Sequence, residues 1–455
     1  MEKKEKNKDR VGAGTLLLWC GNGASVAVQT VLLGFLQIYC TNALGLSALL
    51  VGSILMGSKI IDAFTDLTAG VIVDKTHTRF GKGRPYAFCI LGIWLMTWLM
   101  FSVPAEYSTV AKCAWIAVAY ILSESIFKTF LNASGNVYMV RAFNSEKKYV
   151  TLNSIGGFLT TAAVMVFNVV FPRFWGKIVN SAPGWSKLIG YIAIPLAIIG
   201  ILRFFFIPEK YDVDSDTEPM HFRDIITRFK VNRNFIPLLF MALVVGVFSN
   251  MSVASYYYLY IVKNVEISGV MSLFGMVPML SLLFYPLILR KISVKKLVQV
   301  SMLFSLISAP ILFIAKDNLV LLAIGGIISG LVSLPASYMQ SLLIVDCSNY
   351  NEWKHVPRME GTLSCFFGFA NKVGSALGTF LIGVLLSAAG FDGKLDVEPD
   401  SAIMMIRVCN SFIPMVFSLI AALALCFYTI DKVKPQMTAD LEARRNTTYT
   451  EAANG

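Results

Sequence analysis

Charged side chains are scarce in this chain of 455 residues, since Asp, Glu, Lys and Arg together make up only 15% of it. Soluble domains carry roughly 25% of such residues, whereas 56% of this chain is hydrophobic. The composition therefore excludes a soluble globular protein. Histidine is also rare, and all three histidines fall in segments predicted to lie outside the membrane spans. A buried histidine proton relay is not expected.

Sequence patterns for several other functions are missing. The eight cysteines are scattered without a Cys-x-x-Cys pair, so we expect neither a metal centre nor a disulfide framework. No P-loop, zincin or serine-triad spacing stands out, and an enzyme is not expected. The net charge of +11 does not indicate nucleic-acid binding, because it follows from the placement of the basic residues around the predicted spans.

Hydropathy predicts an all-α integral membrane protein with twelve transmembrane helices, arranged in two six-helix halves. The predicted spans are 13–40, 46–73, 85–103, 111–140, 150–172, 187–207, 235–261, 270–289, 296–315, 319–345, 361–389 and 401–430. With the N-terminus inside, 28 of the 39 Lys and Arg residues fall in or beside cytoplasmic segments and 7 fall on the opposite side. The positive-inside rule then predicts a multi-pass protein of the cytoplasmic membrane, with both termini in the cytoplasm.

One polar segment, 208–234, divides the predicted spans into two sets of six. The N-terminal half is 13–207 and the C-terminal half is 235–430, with cytoplasmic tails at 1–12 and 431–455. Two halves of nearly equal length are typical of secondary transporters built from parallel repeats.

Ionisable residues interrupt the second predicted span. Asp62 and Asp66 are four residues apart, so they share one helical face, and Lys59 lies one turn before them. Such groups cost a few kcal/mol each at bilayer depth and usually face a cavity or pathway. The pair therefore predicts a cation-coupled pump or carrier. A structural ion pair between Lys59 and Asp62, with Asp66 near water, is the alternative.

Polar residues at helical spacing mark four further spans as candidates for a substrate site. Small polar residues also hold helices together in lipid, so each stripe alone is open to both interpretations. Glu124 and Lys128 are four residues apart and are expected to pair, either as a structural contact or as a substrate clamp. The substrate-binding candidates are Asn22, Ser25, Gln29, Glu124, Lys128, Ser337, Tyr338, Gln340 and Asn371.

Three segments resemble the melibiose-permease group, the glycoside–pentoside–hexuronide:cation symporters of the major facilitator superfamily. They are DAFTD from Asp62, DKTHTRFGKGRP from Asp74 and NKVGSALG from Asn371. The resemblance implies that Asp62 and Asp66 bind Na⁺, Li⁺ or H⁺, and that Lys59 and Lys372 take part in coupling. The loop after the second span resembles the superfamily signature, and the segment from Asp346 resembles the family's loop between helices ten and eleven. The expected cytoplasmic gate is Asp74, Arg79, Lys82, Arg84 and Asp346.

The chain departs from that family at the sugar site. The family's sugar-binding acid on helix one falls near Val26, and the acid and tryptophan on helix four fall near Leu131 and Gly135. We predict a cation-coupled symporter of small glycosides, sugars or sugar acids. The alternatives are a carrier of an amphipathic, lysolipid-like solute, or a non-transporting sensor or scaffold. The expected partners are a small-molecule substrate and membrane lipid, with no nucleic acid, no obligate protein partner and no cofactor beyond the coupling ion.

Overall fold

The computed structural model describes residues 11–74, 76–143, 146–211, 232–251, 253–275, 277–355, 360–393, 395 and 397–454. Within these ranges the chain is helical, and one isolated bridge between Thr78 and Gly81 is the only β pairing. This confirms the predicted all-α fold.

Eighteen helices carry labels here, in chain order. They are α1 (Ala13–Leu33), α2 (Ala48–Asp74), α3 (Cys89–Met100), α4 (Thr109–Tyr120), α5 (Thr129–Phe143), α6 (Glu146–Val170), α7 (Ala182–Phe206), α8 (Phe235–Ser249), α9 (Ala254–Tyr260), α10 (Glu266–Phe274), α11 (Val294–Leu303), α12 (Ser305–Ala315), α13 (Leu319–Tyr338), α14 (Gln340–Trp353), α15 (Glu360–Ala388), α16 (Asp400–Asn410), α17 (Phe412–Ala424) and α18 (Ile430–Asn454). Short helical pieces follow or join them at Leu36–Ile38, Tyr39–Ala43, Arg84–Phe88, Ile121–Lys128, Pro172–Trp175, Val277–Phe284, Tyr285–Ile288 and Leu425–Phe427.

The described part of the chain contains ten helical segments that are long and apolar enough to cross a membrane. Two shorter apolar helical segments, Arg84–Met100 and Glu266–Leu282, lie where the third and eighth spans are predicted. The helices thus reproduce the predicted order of spans.

Contacts group the chain into two compact units. The first comprises Met1–Asp216, Ser252–Leu273 and Thr379–Ile406, so it holds the predicted N-terminal half together with two later segments. Its interior includes the fully buried aromatic side chains of Tyr39 and Trp185. The boundaries of the two six-helix halves, with the tails and linker, stay a prediction.

Glycines bring α2 and the last part of α15 close together inside the first unit. A Cβ added at Gly383 would lie 2.4 Å from the backbone oxygen of Ala48, and one at Gly52 would lie 3.3 Å from Phe380. Only glycine allows backbones to approach so closely. This packing holds Thr379, one turn before Gly383, beside the middle of α2.

A π-helix joins α4 to α5 without a break, so that Thr109–Phe143 is one helical segment. It covers Ile121–Lys128. π turns are rare and frequently occur at functional sites, because the extra residue redirects the side chains that follow. Here the π turn contains Glu124 and Lys128 and ends immediately before Thr129.

The second unit comprises Thr217–Met251, Phe274–Gly378 and Arg407–Gly455. In it α8 packs backbone to backbone against α15, since a Cβ at Gly374 would lie 1.9 Å from the backbone oxygen of Leu243. Residues that the sequence assigns to a C-terminal tail form helix α18, whose Met437 and Leu441 are buried in the core of this unit.

Candidate functional site

The predicted acid pair converges on one hydroxyl group. The side-chain oxygen of Thr129, on α5, lies 3.1 Å from Oδ1 of Asp62 and 2.9 Å from Oδ1 of Asp66. Thr129 is only 3% exposed, and its Oγ1 is also 3.1 Å from the backbone oxygen of Glu124. Two carboxylates and a hydroxyl form the all-oxygen donor set that hard cations prefer.

Lys59 lies one turn from Asp62 on α2, and its ammonium donates a hydrogen bond of 2.8 Å to the Thr379 hydroxyl. Thr379 itself is buried. The base therefore lies in the same unit as the acid pair and is positioned by the close packing of α2 and α15. Its predicted part in coupling stays a prediction.

Three substrate-binding candidates meet beside the acid pair. Lys128 Nζ lies 2.8 Å from Glu124 Oε2, as the predicted i, i+4 pair, and 3.2 Å from Oε1 of Gln29. The Gln29 amide nitrogen donates to Oε1 of Glu124 at 2.9 Å. The Glu124 and Lys128 side chains are 12% and 15% exposed. These three side chains form one hydrogen-bonded network, which we call the polar triad.

The polar triad and the acid pair are linked through the end of the π turn and the first residue of α5. Lys128 belongs to the triad, and the next residue in the chain, Thr129, contacts both aspartates. Thr30 on α1 extends the triad, since its hydroxyl accepts from Lys128 Nζ at 2.9 Å. A movement of Thr129 should therefore also displace Lys128, because one peptide bond joins the two residues.

Two other candidates on α1 make contacts that hold helices together, and their part in binding substrate stays a prediction. The Asn22 amide donates to the backbone oxygen of Gly200 at 3.0 Å, and the Ser25 hydroxyl donates to that of Leu196 at 2.8 Å. Ser25 also accepts from Trp94 Nε1 at 2.7 Å. Both side chains are at most 4% exposed. Of the three polar candidates on α1, Gln29 is the one that contacts charged side chains.

The remaining candidates lie in the second unit. Ser337 donates to the backbone oxygen of Ser333 at 3.1 Å, and the Asn371 amide donates to that of Ala242 at 3.3 Å. Tyr338 ends α13 and Gln340 begins α14, so they lie on either side of a break in the predicted tenth span. Broken helices in membrane carriers line cavities where the backbone is freed. Their part in binding substrate stays a prediction, as does that of Lys372 on α15 in coupling.

The predicted cytoplasmic gate residues make contacts within their own units. Arg84 Nε donates to the backbone oxygen of Phe204 at 2.8 Å, and the Arg79 guanidinium lies 4.7 Å from the ring centre of Phe80. In the second unit, Asp346 pairs with Lys434 of α18 at 2.7 Å. The Asp74 side chain lies outside the described residues, and the backbone amide of Lys82 donates to Oε2 of Glu209 at 2.9 Å.

Sequence reasoning missed Thr129, although it supplies the hydroxyl at the acid pair. A lone threonine in a helix carries no charge or spacing signal, and the π turn before it changes the face on which it lies.

The tyrosines of α9 lie near the end of a predicted span, where a run of them is typical of an interfacial aromatic girdle. Tyr256 and Tyr257 are instead 1% exposed, and the Tyr256 hydroxyl lies 3.1 Å from that of Thr41. Tyr260 accepts from the Asn42 amide at 2.5 Å. These tyrosines join α9 to the chain after α1 within the first unit.

Apolar helices of membrane-spanning length, one of which carries an acid pair, are typical of a membrane transporter, and comparison with known proteins agrees. The family described as MFS/sugar transport protein matches residues 19–432. The chain belongs to this family, which confirms the resemblance found in the sequence. It is an integral membrane, multi-pass transporter and not an enzyme.

Curated relatives align over most of the chain. The isoprimeverose transporter of Lactiplantibacillus pentosus is 26% identical over 423 residues, covering 90% of this chain and 87% of that protein. The glucuronide carrier protein homolog of Escherichia coli is 25% identical, covering 90% and 91%. The putative glycoside/cation symporter YagG of Escherichia coli is 22% identical, covering 90% and 89%.

Solved structures show the same fold. The nucleoside transporter NupG superposes with a TM-score of 0.64 at 16% identity, covering 91% of this chain and 98% of that one. A D-xylose–proton symporter gives 0.62 at 14% identity, covering 91% and 96%.

Proposed function

We propose that this protein is a cation-coupled symporter that carries a small glycoside, sugar or sugar acid by alternating access. The observation that carries the proposal is the contact of Asp62 and Asp66 with the hydroxyl of Thr129, directly beside the polar triad. The substrate class is supported by relatives named as an isoprimeverose transporter, a glycoside/cation symporter and a glucuronide carrier.

The coupling ion is cargo that binds at the acid pair. Because both carboxylate oxygens lie close to one hydroxyl, they are about 6 Å apart at most. Two ionised carboxylates at that distance repel by about 3 kcal/mol at an effective dielectric constant of 20. The single proton of the hydroxyl can be donated to only one acceptor at a time. A Na⁺ or Li⁺ ion between the three oxygens, or a proton on one carboxylate, removes this repulsion.

The polar triad can recognise a hydroxylated solute. Glu124 accepts hydrogen bonds, Lys128 donates them, and the Gln29 amide does both. Lys128 also offers a charge for the carboxylate of a sugar acid. Cation binding that draws Thr129 toward the aspartates would reposition Lys128, and the coupling must be reciprocal.

The protein is further proposed to lie in the cytoplasmic membrane with both termini inside. The excess of Lys and Arg in alternate loops supports this orientation. The proposed partners are the transported solute and membrane lipid, with no cofactor beyond the ion.

Transport into proteoliposomes tests the proposal. Isoprimeverose and a simple glucuronide are the probes, each with an inward Na⁺ gradient, an inward proton gradient or neither. We expect one gradient to drive accumulation of at least one probe, and Asp62→Asn and Asp66→Asn to abolish it. Asp317→Asn removes the same charge in an exposed turn and should transport normally.

Other outcomes contradict the proposal. Gradient-independent uptake by the unaltered protein, or full accumulation by both aspartate variants, would remove the acid pair from coupling. Transport of a lysolipid with no uptake of either sugar would reject the sugar class and support an amphipathic substrate.

A further inference from the structure

A polar cavity within the first unit is lined by neither the acid pair nor the polar triad. Its volume is about 750 Å³, and it is formed by the loop after α2, the last turn of α5 and the chain after α7. The histidine and the charged side chains that line it are His77, Arg79, Lys82, Arg141, Glu209 and Lys210. Arg79 and Lys82 are also expected gate residues, but the cation and sugar sites proposed above use no side chain of this wall.

The one acid among the described residues of that wall accepts hydrogen bonds from backbone amides. Glu209 accepts from the amides of Lys82, Gly83 and Arg84 at 2.9, 2.8 and 2.6 Å. Gly81 has φ +110° and lies so close that a Cβ there would be 2.4 Å from the Glu209 carboxylate. The loop is therefore built around this carboxylate, which fixes the shape of the wall.

Basic residues outnumber acids among the described residues of this wall. They are Arg79, Lys82, Arg141 and Lys210, against the one carboxylate of Glu209. Cations of this density attract a compact anion, and guanidinium and ammonium groups are the usual donors to phosphate oxygens.

The cavity also lies at the level where apolar helices end. α2 ends at Asp74 and α7 ends at Phe206, directly before the cavity residues. Phe205 and Phe206 are 59% and 65% exposed, and Phe80 in the loop is 40% exposed. Aromatic side chains at span ends lie at the depth of lipid headgroups.

We propose that this cavity binds the phosphate group of a phosphoric ester. The shared chemistry is a phosphate held by Arg79, Lys82, Arg141 and Lys210. Its source is the headgroup of an anionic phospholipid or a soluble sugar phosphate. The site does not depend on which solute the protein transports.

Binding to the full-length purified protein tests this site. Phosphatidylglycerol and glucose 6-phosphate are the two probes, with phosphatidylcholine as the lipid without net charge. The apparent Kd of each probe is read from the rise of the thermal unfolding midpoint with probe concentration. Removing one cation that faces a phosphate should raise Kd about fivefold. We expect this fivefold rise in Kd for Lys210→Gln, and a rise of about 25-fold for the double variant Lys210→Gln with Arg79→Gln.

The control variant is Lys187→Gln. Lys187 is an exposed lysine near the start of α7, about 30 Å along the helix from its end near Lys210, so this variant should bind as the unaltered protein does. Phosphatidylglycerol binding without competition by glucose 6-phosphate would support the headgroup, and binding of glucose 6-phosphate would support the soluble ester. The proposal is overturned if neither probe binds, or if the cavity variants and the control give the same Kd.

Discussion

Replacing Thr129 with valine is the sharpest test of the site geometry. Valine has nearly the shape of threonine but lacks the hydroxyl that contacts Asp62 and Asp66 at 3.1 and 2.9 Å. A hydrogen bond to a charged group contributes about 1.5–3 kcal/mol. In the proposed site a metal ion contacts this hydroxyl oxygen, and loss of a contact of that strength should weaken Na⁺ or Li⁺ binding about 10- to 100-fold.

The assay is the cation dependence of the thermal unfolding midpoint, which rises with the concentration of a ligand that binds the folded state. NaCl and LiCl are titrated against choline chloride at constant ionic strength. Thr129→Ser keeps the hydroxyl and should stay close to the unaltered protein. Equal cation affinity in Thr129→Val and the unaltered protein would refute a role for the hydroxyl in cation binding.

Three further predictions concern other parts of the chain. Glu124→Gln should lower the unfolding midpoint because it leaves the Lys128 charge without its carboxylate partner. The double variant with Lys128→Gln should regain the midpoint but not sugar uptake. Regained uptake would show that the pair has a structural role alone. Gly374→Ala should destabilise the protein by about 1–3 kcal/mol, since its Cβ would lie 1.9 Å from a backbone oxygen, while Gly368→Ala on the same helix meets open space and should be nearly neutral in chemical denaturation. Burial raises the pKa of Glu398, so the folded state binds this proton more tightly and the contribution to stability is lost as pH rises through the folded pKa. The unfolding midpoint of Glu398→Gln should therefore rise relative to that of the unaltered protein between about pH 4 and pH 8. A difference between the two midpoints that does not change with pH would contradict this.

The sequence predicts those features of the fold that are carried by regular periodicity. Apolar length gives the order of the spans, and the i, i+4 spacing puts Asp62 and Asp66 on one face. The same spacing predicts the contact between Glu124 and Lys128, which the structure contains at 2.8 Å.

The sequence does not predict which helix a polar face meets. Asn22, Ser25 and Gln29 form one stripe, yet the first two bind backbone oxygens of α7 while Gln29 reaches a carboxylate. Polar residues that join helices and polar residues that line a cavity look alike in sequence. Thr129 is invisible for a related reason, because its place depends on a π turn and on the packing of two helices distant in sequence.

The central claim is that cation and sugar binding are coupled through the acid pair and the polar triad. Its most direct test measures the Kd of isoprimeverose or a glucuronide with and without saturating cation, and the Kd of the cation with and without that sugar. The account predicts that the cation changes the Kd of the sugar by the same factor as the sugar changes the Kd of the cation. In Asp66→Asn this factor should be near one. A sugar affinity that is independent of every cation in the unaltered protein would contradict it.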